Sequence, residues 1–473
     1  MSNLVKSIQE ARADIKAGRT RSLEEVFGSR TGRGQKLCYT DALMRTIRIG
    51  LLGLGQIGGG VYSLLKRKGR VLAREAGASF EIGGVAVRHP KKTRSVRVPK
   101  ALLTTRPESL VKDPRIDVIV ELLGGIQPAK RLVLEALRNG KDVVTANKAL
   151  LAEAGEEIFA AARENGQRVF FEASVGGGIP IIKALRESLV ANRIDSIYSI
   201  INGTSNYILS KMSEGKLDFE EALKLAQEKG YAERNPALDI DGVDSAHKLA
   251  ILVRLAFGGK AAFKDVYSEG ISRISNEDIA FAEEFGYRIK LLAIAKRDPD
   301  GIEARVQPTL LPKSHILANV MGSFNAILIK GDEVGEVLLY GKGAGPLPTA
   351  SAVVSDLVDL ARSLGSEWSA TSLPSGGGAL KIKNISSILS RYYLRFHVID
   401  RPGVLSKISS VLGRHRISIS DMIQKERRVG SVVPLILLTH DAPERELRLA
   451  IREIDRLSVV RGKSQVIRIE GGP

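Results

Sequence analysis

A chain of 473 residues is long enough for about three domains, each with its own core. A hydrophobic share of 44% excludes an intrinsically disordered chain, and no apolar run approaches the roughly 18 residues of a membrane-spanning helix. The net charge of +18 admits a nucleic-acid partner, but the basic residues are scattered, with no polybasic run or Arg–aromatic array. Small anionic ligands and plain solubility fit that spread better, so no nucleic-acid or membrane partner is expected. The lone Cys38 cannot supply a disulfide, a four-cysteine zinc site or a CxxC pair. No charged-then-apolar leader is evident, and a cytoplasmic protein is expected.

Residues 1–45 form an extension with helical spacing from Ser7 to Phe27, broken by Gly28, Gly32 and Gly34. Its acids Glu10, Asp14 and Glu24 argue against a transit peptide, and it has no assigned role. From Thr46 short apolar runs (Ile47–Leu52, Phe80–Val87, Ile116–Leu123, Asp142–Thr145, Arg168–Phe171) alternate with helical segments. This predicts βαβ units, so 46–180 is expected to be an α/β, doubly wound nucleotide domain of Rossmann type. Residues 181–340 mix long helices with a few strands and are expected to form an α+β domain for substrate binding and dimerisation. A glycine-rich turn and an Ala/Val/Leu helix in 341–370 return toward the nucleotide domain. Residues 371–390, with Gly376, Gly377 and Gly378, suit a linker. Residues 391–473 predict strand, helix, strand, strand, helix, strand, the βαββαβ order of a ferredoxin-like module.

Gly53-Leu54-Gly55-Gln56-Ile57-Gly58 lies between a predicted strand and a predicted helix. The first glycine serves the tight turn, the second the approach of a pyrophosphate, and the third close helix–strand packing. The second strand ends without a carboxylate for ribose hydroxyls, and Arg88, His89, Lys91, Lys92 and Arg94 follow it. That suits a 2′-phosphate, so NADP is favoured over NAD, with a solvated basic loop as the alternative.

Asp244 and Lys248 stand one helical turn apart on a face continued by Ile251, Leu252 and Leu255. An apolar continuation turns the pair into the protein or a cleft. There burial lowers the lysine's pKa and the aspartate opposes that, and spacing does not decide the winner. Lys148, after the predicted strand Asp142–Thr145, would sit near the nicotinamide end of the sheet, although a lysine there is commonly just solvated. The six histidines lack the spacing of a zinc site, and Cys38 precedes the nucleotide turn, which disfavours thiol-dependent aldehyde oxidation. A reversible carbonyl–alcohol hydride transfer needs only a proton donor and a positioned carbonyl, which lysines can supply.

These motifs resemble homoserine dehydrogenase from about Thr46 to Gly365. They include Val120–Gly125, Thr145-Ala146-Asn147-Lys148, Phe171–Ala173, Gly178–Arg186, Asn202–Leu209, Gly230-Tyr231-Ala232-Glu233 and Asp244-Ser245-Ala246-His247-Lys248. The resemblance implies NAD(P)H-dependent interconversion of L-aspartate 4-semialdehyde and L-homoserine, on the route to threonine, isoleucine and methionine. It implies Lys248 as proton donor, Lys148 as a second essential lysine between cofactor and substrate, and Asp244 as the orienter of the Lys248 site. It further implies Glu233, Asp239 and Thr204 on the substrate, with Gly53, Gly55, Gln56, Ile57, Gly58, Arg88 and Gly345 on the cofactor. Glu172, Val175, Gly177 and Ile179 would hold a monovalent cation such as Na+ or K+, mostly through backbone oxygens, or form an ion-free glycine turn. Asn235 stands before Pro236 where the family usually has aspartate, and the extension has no counterpart. With no kinase-sized region before Thr46, a fused aspartate kinase is not expected.

The C-terminal module resembles an ACT domain at Asp400-Arg401-Pro402-Gly403-Val404. This implies amino-acid control at Asp400, Gly403 and Val404, threonine being the expected effector, within a homodimer or homotetramer, or else a role in assembly alone. The rival readings are another amino-acid-pathway Rossmann oxidoreductase and a catalytically silent amino-acid sensor.

Overall fold

The computed structural model describes residues 45–364, 378–425 and 431–471; the expectations for 1–44, Cys38 among them, and for 371–377 lie outside the described residues. The apolar runs of the first region become β1 (Arg45–Leu52), β2 (Ala78–Ala86), β3 (Leu103–Thr104), β4 (Val118–Glu121), β5 (Asp142–Thr145) and β6 (Val169–Phe170). They lie in the order 3-2-1-4-5-6, with β1–β4, β4–β5 and β5–β6 pairing in parallel. Ile47, Ile49, Leu51 and the whole of β4 are closed to solvent. Helices α1 (Gln56–Ala76), α2 (Pro107–Lys112), α3 (Ala129–Arg138) and α4 (Lys148–Glu164) make the crossovers. The strand order reverses between β1 and β4, and ligands of such sheets bind in the crevice beyond the carboxyl ends at that point.

The next region contains β7 (Ile194–Ile200), α5 (Gly203–Gly215), α6 (Phe219–Glu228), α7 (Ala237–Ile240), α8 (Val243–Phe257), β8 (Tyr267–Ser268) and α9 (Asn276–Glu284). It continues through β9 (Tyr287–Asp298), β10 (Gly301–Pro312), β11 (Phe324–Gly331) and β12 (Gly335–Lys342). Its sheet is larger than the sequence suggested. β12, β11, β7, β9 and β10 pair antiparallel in that order, and the β9–β10 hairpin is in register from Gly301 opposite Asp298 to Pro312 opposite Tyr287. These strands lack a clean alternation because both faces are covered. Ile289, Leu291, Ala293 and Ala295 pack in one cluster, Leu292 and Ile294 in another. Helix α10 (Pro346–Ser363) then returns to the first sheet, where Ala350, Val353 and Leu357 share a core with Val61 and Leu65 of α1.

Of the expected linker 371–390, residues 378–383 lie along the preceding region. The amides of Leu380 and Ile302 donate to the carbonyls of Lys260 and Lys381, both at 2.8 Å. β13 (Leu389–Ile399), α11 (Val404–Arg414), β14 (Ile419–Ile423), β15 (Val432–Thr439), β16 (Ala442–Pro443), α12 (Glu444–Ile454) and β17 (Gln465–Ile469) follow, in the predicted βαββαβ order apart from the short β16. The module is not a separate bead. β17 pairs in parallel with β10, Thr309 opposite Arg468 and Leu310 opposite Ile469, so one sheet runs through both regions. Ion pairs line this seam, Arg305–Glu470 at 2.6 Å and Arg395–Asp278 at 2.7 Å deep in it and the half-buried Lys296 with Glu470 at 2.7 Å.

Candidate active site

The glycine turn after β1 has three different steric roles. Gly53 takes φ +104°, and a Cβ there would meet the Leu122 carbonyl at 2.8 Å. A Cβ on Gly58 would lie 2.2 Å from the Gly53 oxygen, so helix and turn can touch only through glycine. Gly55 faces open space, and α1 begins there with no side-chain cap and no acid in its first turn. Unclaimed helix N–H groups beside an open glycine suit a pyrophosphate. The adjoining cleft, of about 630 Å³, is lined by Gln56, Arg88, His89, Lys92 and Arg94. Arg94 donates to the carbonyls of His89 and Lys92, both at 2.7 Å, and so locks its own loop, whereas Arg88 is exposed. Glu81 is occupied by Arg48 at 3.1 Å. The residues present therefore fit a dinucleotide.

Beyond β4 and β5 the polar groups converge. Glu121, fully buried, accepts from the Thr145 hydroxyl at 2.6 Å and the Leu123 amide at 2.8 Å, tying the two strand ends together. Burial pushes its carboxyl pKa up. Asn147 caps α4 by accepting from the Leu150 amide and donates to the Gly125 carbonyl, which places Lys148 at the first position of α4.

Helix α8 is buried almost all round, and its polar side chains point where little water reaches. Asp244 lies between two lysines: Lys248 Nζ is 2.7 Å from Oδ2 and Lys148 Nζ is 2.8 Å from Oδ1. Lys248, with 9% of its side chain exposed, also donates to the Ile201 carbonyl at 2.6 Å. Burial, helped by the nearby Lys148 charge, lowers the Lys248 pKa against the pull of Asp244. Burial also disfavours charge on Lys148, but Asp244, Asp239 and Glu233 overcome it and raise that pKa. Asp244 itself is held well below the carboxylate range, because the two ammonium groups outweigh its burial. The ambiguity that the sequence left for Lys248 thus resolves toward burial, while Lys148 is shifted the opposite way.

Asn202 was not singled out as a site residue by the sequence, although its motif stood out. Its Oδ1 caps α5 at the Ser205 amide, while Nδ2 donates to Asp239 at 2.7 Å and to Asp244 at 2.9 Å. One amide thus holds both carboxylates. Burial and the neighbouring Asp244 raise the Asp239 pKa. Thr204 gives its hydroxyl to the Tyr231 carbonyl at 2.7 Å. Lys148, Glu233, Asn235, Asp239, Asp244 and His247 line a cleft of about 560 Å³. A smaller one, of about 220 Å³, joins Gln56 and Ile57 to Lys148, Lys248, Gly177 and Gly345. His247 stacks on Phe263, with ring centroids 4.2 Å apart.

Glu172 is drawn into the main chain, its carboxylate accepting from the amides of Ile182 at 2.9 Å and Lys183 at 2.8 Å. Burial pushes its pKa up to about 7. Gly176 and Gly177 take φ +72° and +54°, and a Cβ on Gly177 would collide with the Gly343 carbonyl. Among the described residues no group of three or more His, Cys, Asp or Glu could hold a metal ion. At the C-terminal module, Gly403 takes φ +87° before α11 with open space at its Cβ position. Val404 is buried, and Asp400 Oδ2 is buried without a hydrogen-bond partner.

A doubly wound sheet with an open glycine turn, facing a second region that presents buried lysines and carboxylates, defines an NAD(P)-dependent oxidoreductase. Residues 53–172 match the family model for the homoserine dehydrogenase NAD-binding domain, 180–358 the homoserine dehydrogenase model and 392–459 the ACT domain. The homoserine dehydrogenase of Pseudomonas aeruginosa is 45% identical over 434 residues, covering 90% of this chain and 99% of that one. The crystal structure of a homoserine dehydrogenase from Thiobacillus denitrificans superposes with a TM-score of 0.85 at 48% identity, covering 90% and 99% of the two chains. A hyperthermophilic archaeal homoserine dehydrogenase in complex with NADPH covers 66% of this chain and 97% of its own, with a TM-score of 0.55 at 26% identity. The chain belongs to the homoserine dehydrogenase family and carries a C-terminal ACT domain. Among the described residues no helix is long and apolar enough to cross a membrane.

Proposed function

We propose that the chain interconverts L-homoserine and L-aspartate 4-semialdehyde with NADP(H) preferred over NAD(H), and that Lys248 moves the proton. The observation that carries this reading is the single Asp244 carboxylate clamped by two lysines where the dinucleotide cleft meets the substrate cleft. When bound, the nicotinamide supplies or accepts the hydride. Lys248, its pKa lowered, gives a proton to the developing alkoxide in reduction and takes it back in oxidation. Lys148 keeps its charge and steadies the oxygen electrostatically, at the rim shared by both clefts. Asp244 orients both amines, while Glu233 and Asp239 receive the substrate's ammonium group.

Gly53, Gly55, Gln56, Ile57, Gly58 and Gly345 bind the dinucleotide, and Arg88 takes its 2′-phosphate. Support comes from the exposed Arg88 at a strand end without a carboxylate and from the NADPH held by the archaeal relative. Main-chain oxygens of Glu172, Val175, Gly177 and Ile179 would hold a monovalent cation. In this reading 46–180 is the nucleotide domain, 181–340 the substrate and dimerisation domain, 341–370 its return segment and 391–473 the regulatory domain, in a cytoplasmic homodimer or homotetramer. Threonine binds at Asp400, Gly403 and Val404, supported by the left-handed glycine and the unpartnered carboxylate oxygen.

The test is homoserine-dependent reduction of NADP against NAD, repeated with threonine. NADP preference that collapses in Arg88→Ala, together with inhibition by threonine, is expected. Equal rates with both dinucleotides would reject the cofactor assignment, and a threonine titration that changes nothing would reject the effector.

A further inference from the structure

The segment Ser268–Ile271 lies between the ACT domain and the turn that carries the site carboxylates, and it is bonded to both. On one side it supports Asp239–Gly242, the turn joining α7 to α8. Ser268 Oγ donates to the Asp241 carbonyl at 3.0 Å, and the Ile271 amide to the Ile240 carbonyl at 2.8 Å. The fit leaves no slack. A Cβ on Gly270 would sit 2.2 Å from the Ile240 oxygen, and one on Gly242 would lie 2.9 Å from Ser268 Oγ. The turn held in this way carries Asp239 at its start and is followed by Asp244, the two carboxylates that Asn202 joins.

On the other side the only charged side chain of this segment, Glu269, reaches the ACT domain. Its Oε2 accepts from Arg468 Nη1 at 3.0 Å and from the Tyr267 hydroxyl at 2.9 Å. Arg468 has no freedom to follow a moving partner. It is 1% exposed, gives Nε and Nη2 to Glu444 at 2.9 and 2.5 Å, and lies over the Tyr267 ring. β8 also pairs with β10, the strand to which β17 is joined. A displacement of the ACT strand β17 is therefore handed to the substrate-side turn through the Arg468–Glu269 ion pair, flanked by Arg448 at 3.9 Å from the same carboxylate, and one tight loop.

We infer that Glu269 and Arg468 are positioning residues for the reaction: their ion pair sets the Asp239–Asp244 turn, and through it the affinity for homoserine. The inference rests on the reading of Asp239 as a substrate-side residue. A rigid two-ended connection of this kind transmits when its ends cannot relax independently, and couplings along such connections are modest.

The full-length enzyme carrying Glu269→Gln tests it, since this partly exposed, isosteric change removes the charge and leaves the packing. KM for homoserine should rise about three- to tenfold with kcat and KM for NADP near the parent values. Glu277→Gln, which removes a different bridge to the ACT domain (Glu277 to Arg395 at 3.0 Å), should leave KM for homoserine unchanged. An unaltered KM in Glu269→Gln, or equal rises in both variants with matching losses of melting temperature, would overturn the inference. Asp239→Asn separates it from its foundation. If that variant keeps the parent KM, the assignment of Asp239 fails; if its KM rises while Glu269→Gln stays normal, only the coupling fails.

Discussion

Two of the molecule's sets of buried ions treat charge in opposite ways. At the seam between β10 and β17, arginines meet glutamates: Arg468 pairs with Glu444, and Arg305 with Glu470 and Glu303 through Nη2 alone. Burial opposes each charge there, yet pairing wins, raising the arginine pKa values and lowering those of Glu444 and Glu470. No proton can leave such a cluster near neutral pH. At the active site, two lysines share one carboxylate, and the more buried lysine has its pKa lowered. Arginine holds its proton in any surroundings, whereas a buried lysine can release one. The same ingredients thus make a rivet in one place and a lysine able to release its proton in the other, and the difference lies in the choice of cation and the count of carboxylates.

Substitutions can break either half of this contrast. The largest effect is expected from Lys248→Ala, which should reduce kcat by about 10²–10⁴-fold while dinucleotide affinity, measured by titration, stays the same. Lys248→Arg should be no better, because a guanidinium cannot give up its proton; near-normal turnover in either would remove Lys248 from the proton step. At the seam, Arg468→Met leaves Arg448 as the one cation paired with buried Glu444 among the described residues, beside the Tyr392 hydroxyl, and urea unfolding should record a loss of about 3–5 kcal/mol. Adding Glu444→Gln should recover part of that loss by removing the stranded charge. A smaller effect concerns pH. Oxidation of homoserine should accelerate as pH rises through the Lys248 pKa, which lies below the usual 10.5, and reduction of the semialdehyde should slow over the same interval. Lys148→Met removes a neighbouring cation and should move that limb to higher pH, and a stationary limb would mean that another group titrates.

The least conspicuous test uses Lys290, which is buried with no ion pair among the described residues and hydrogen-bonded to the Val320 carbonyl at 2.5 Å and Asn206 Oδ1 at 3.1 Å. Burial lowers its pKa from 10.5 to about 7. Between those values the unfolded chain binds the proton that the folded chain lacks, so this group's contribution makes stability rise with pH across that window. Below about pH 7 both states hold the proton and the penalty is complete. Lys290→Met should flatten that part of the stability–pH curve, as followed by denaturant unfolding from pH 7 to 10.

Residues adjacent in the chain made much of this architecture readable in advance. The glycine turn announces itself because each of its three glycines answers a constraint imposed by near neighbours: a tight corner, an open approach and a helix that touches the turn. The one-turn spacing of Asp244 and Lys248 on an apolar face likewise forecast a buried pair, since helical geometry alone sets which side chains share a face. The sheet of β9 and β10 was less legible, because strands buried on both faces lose the alternation that marks a half-buried strand. What tertiary structure alone decided is which distant segments meet. It brought Lys148 of one domain onto the carboxylate that Lys248 of the other already held, and it set Asn202 between two acids. It also fused the ACT sheet to the catalytic sheet at β10 and β17. Spacing carries no signal for such meetings, because the balance between desolvation and attraction that sets each pKa depends on neighbours brought together only when the whole chain packs.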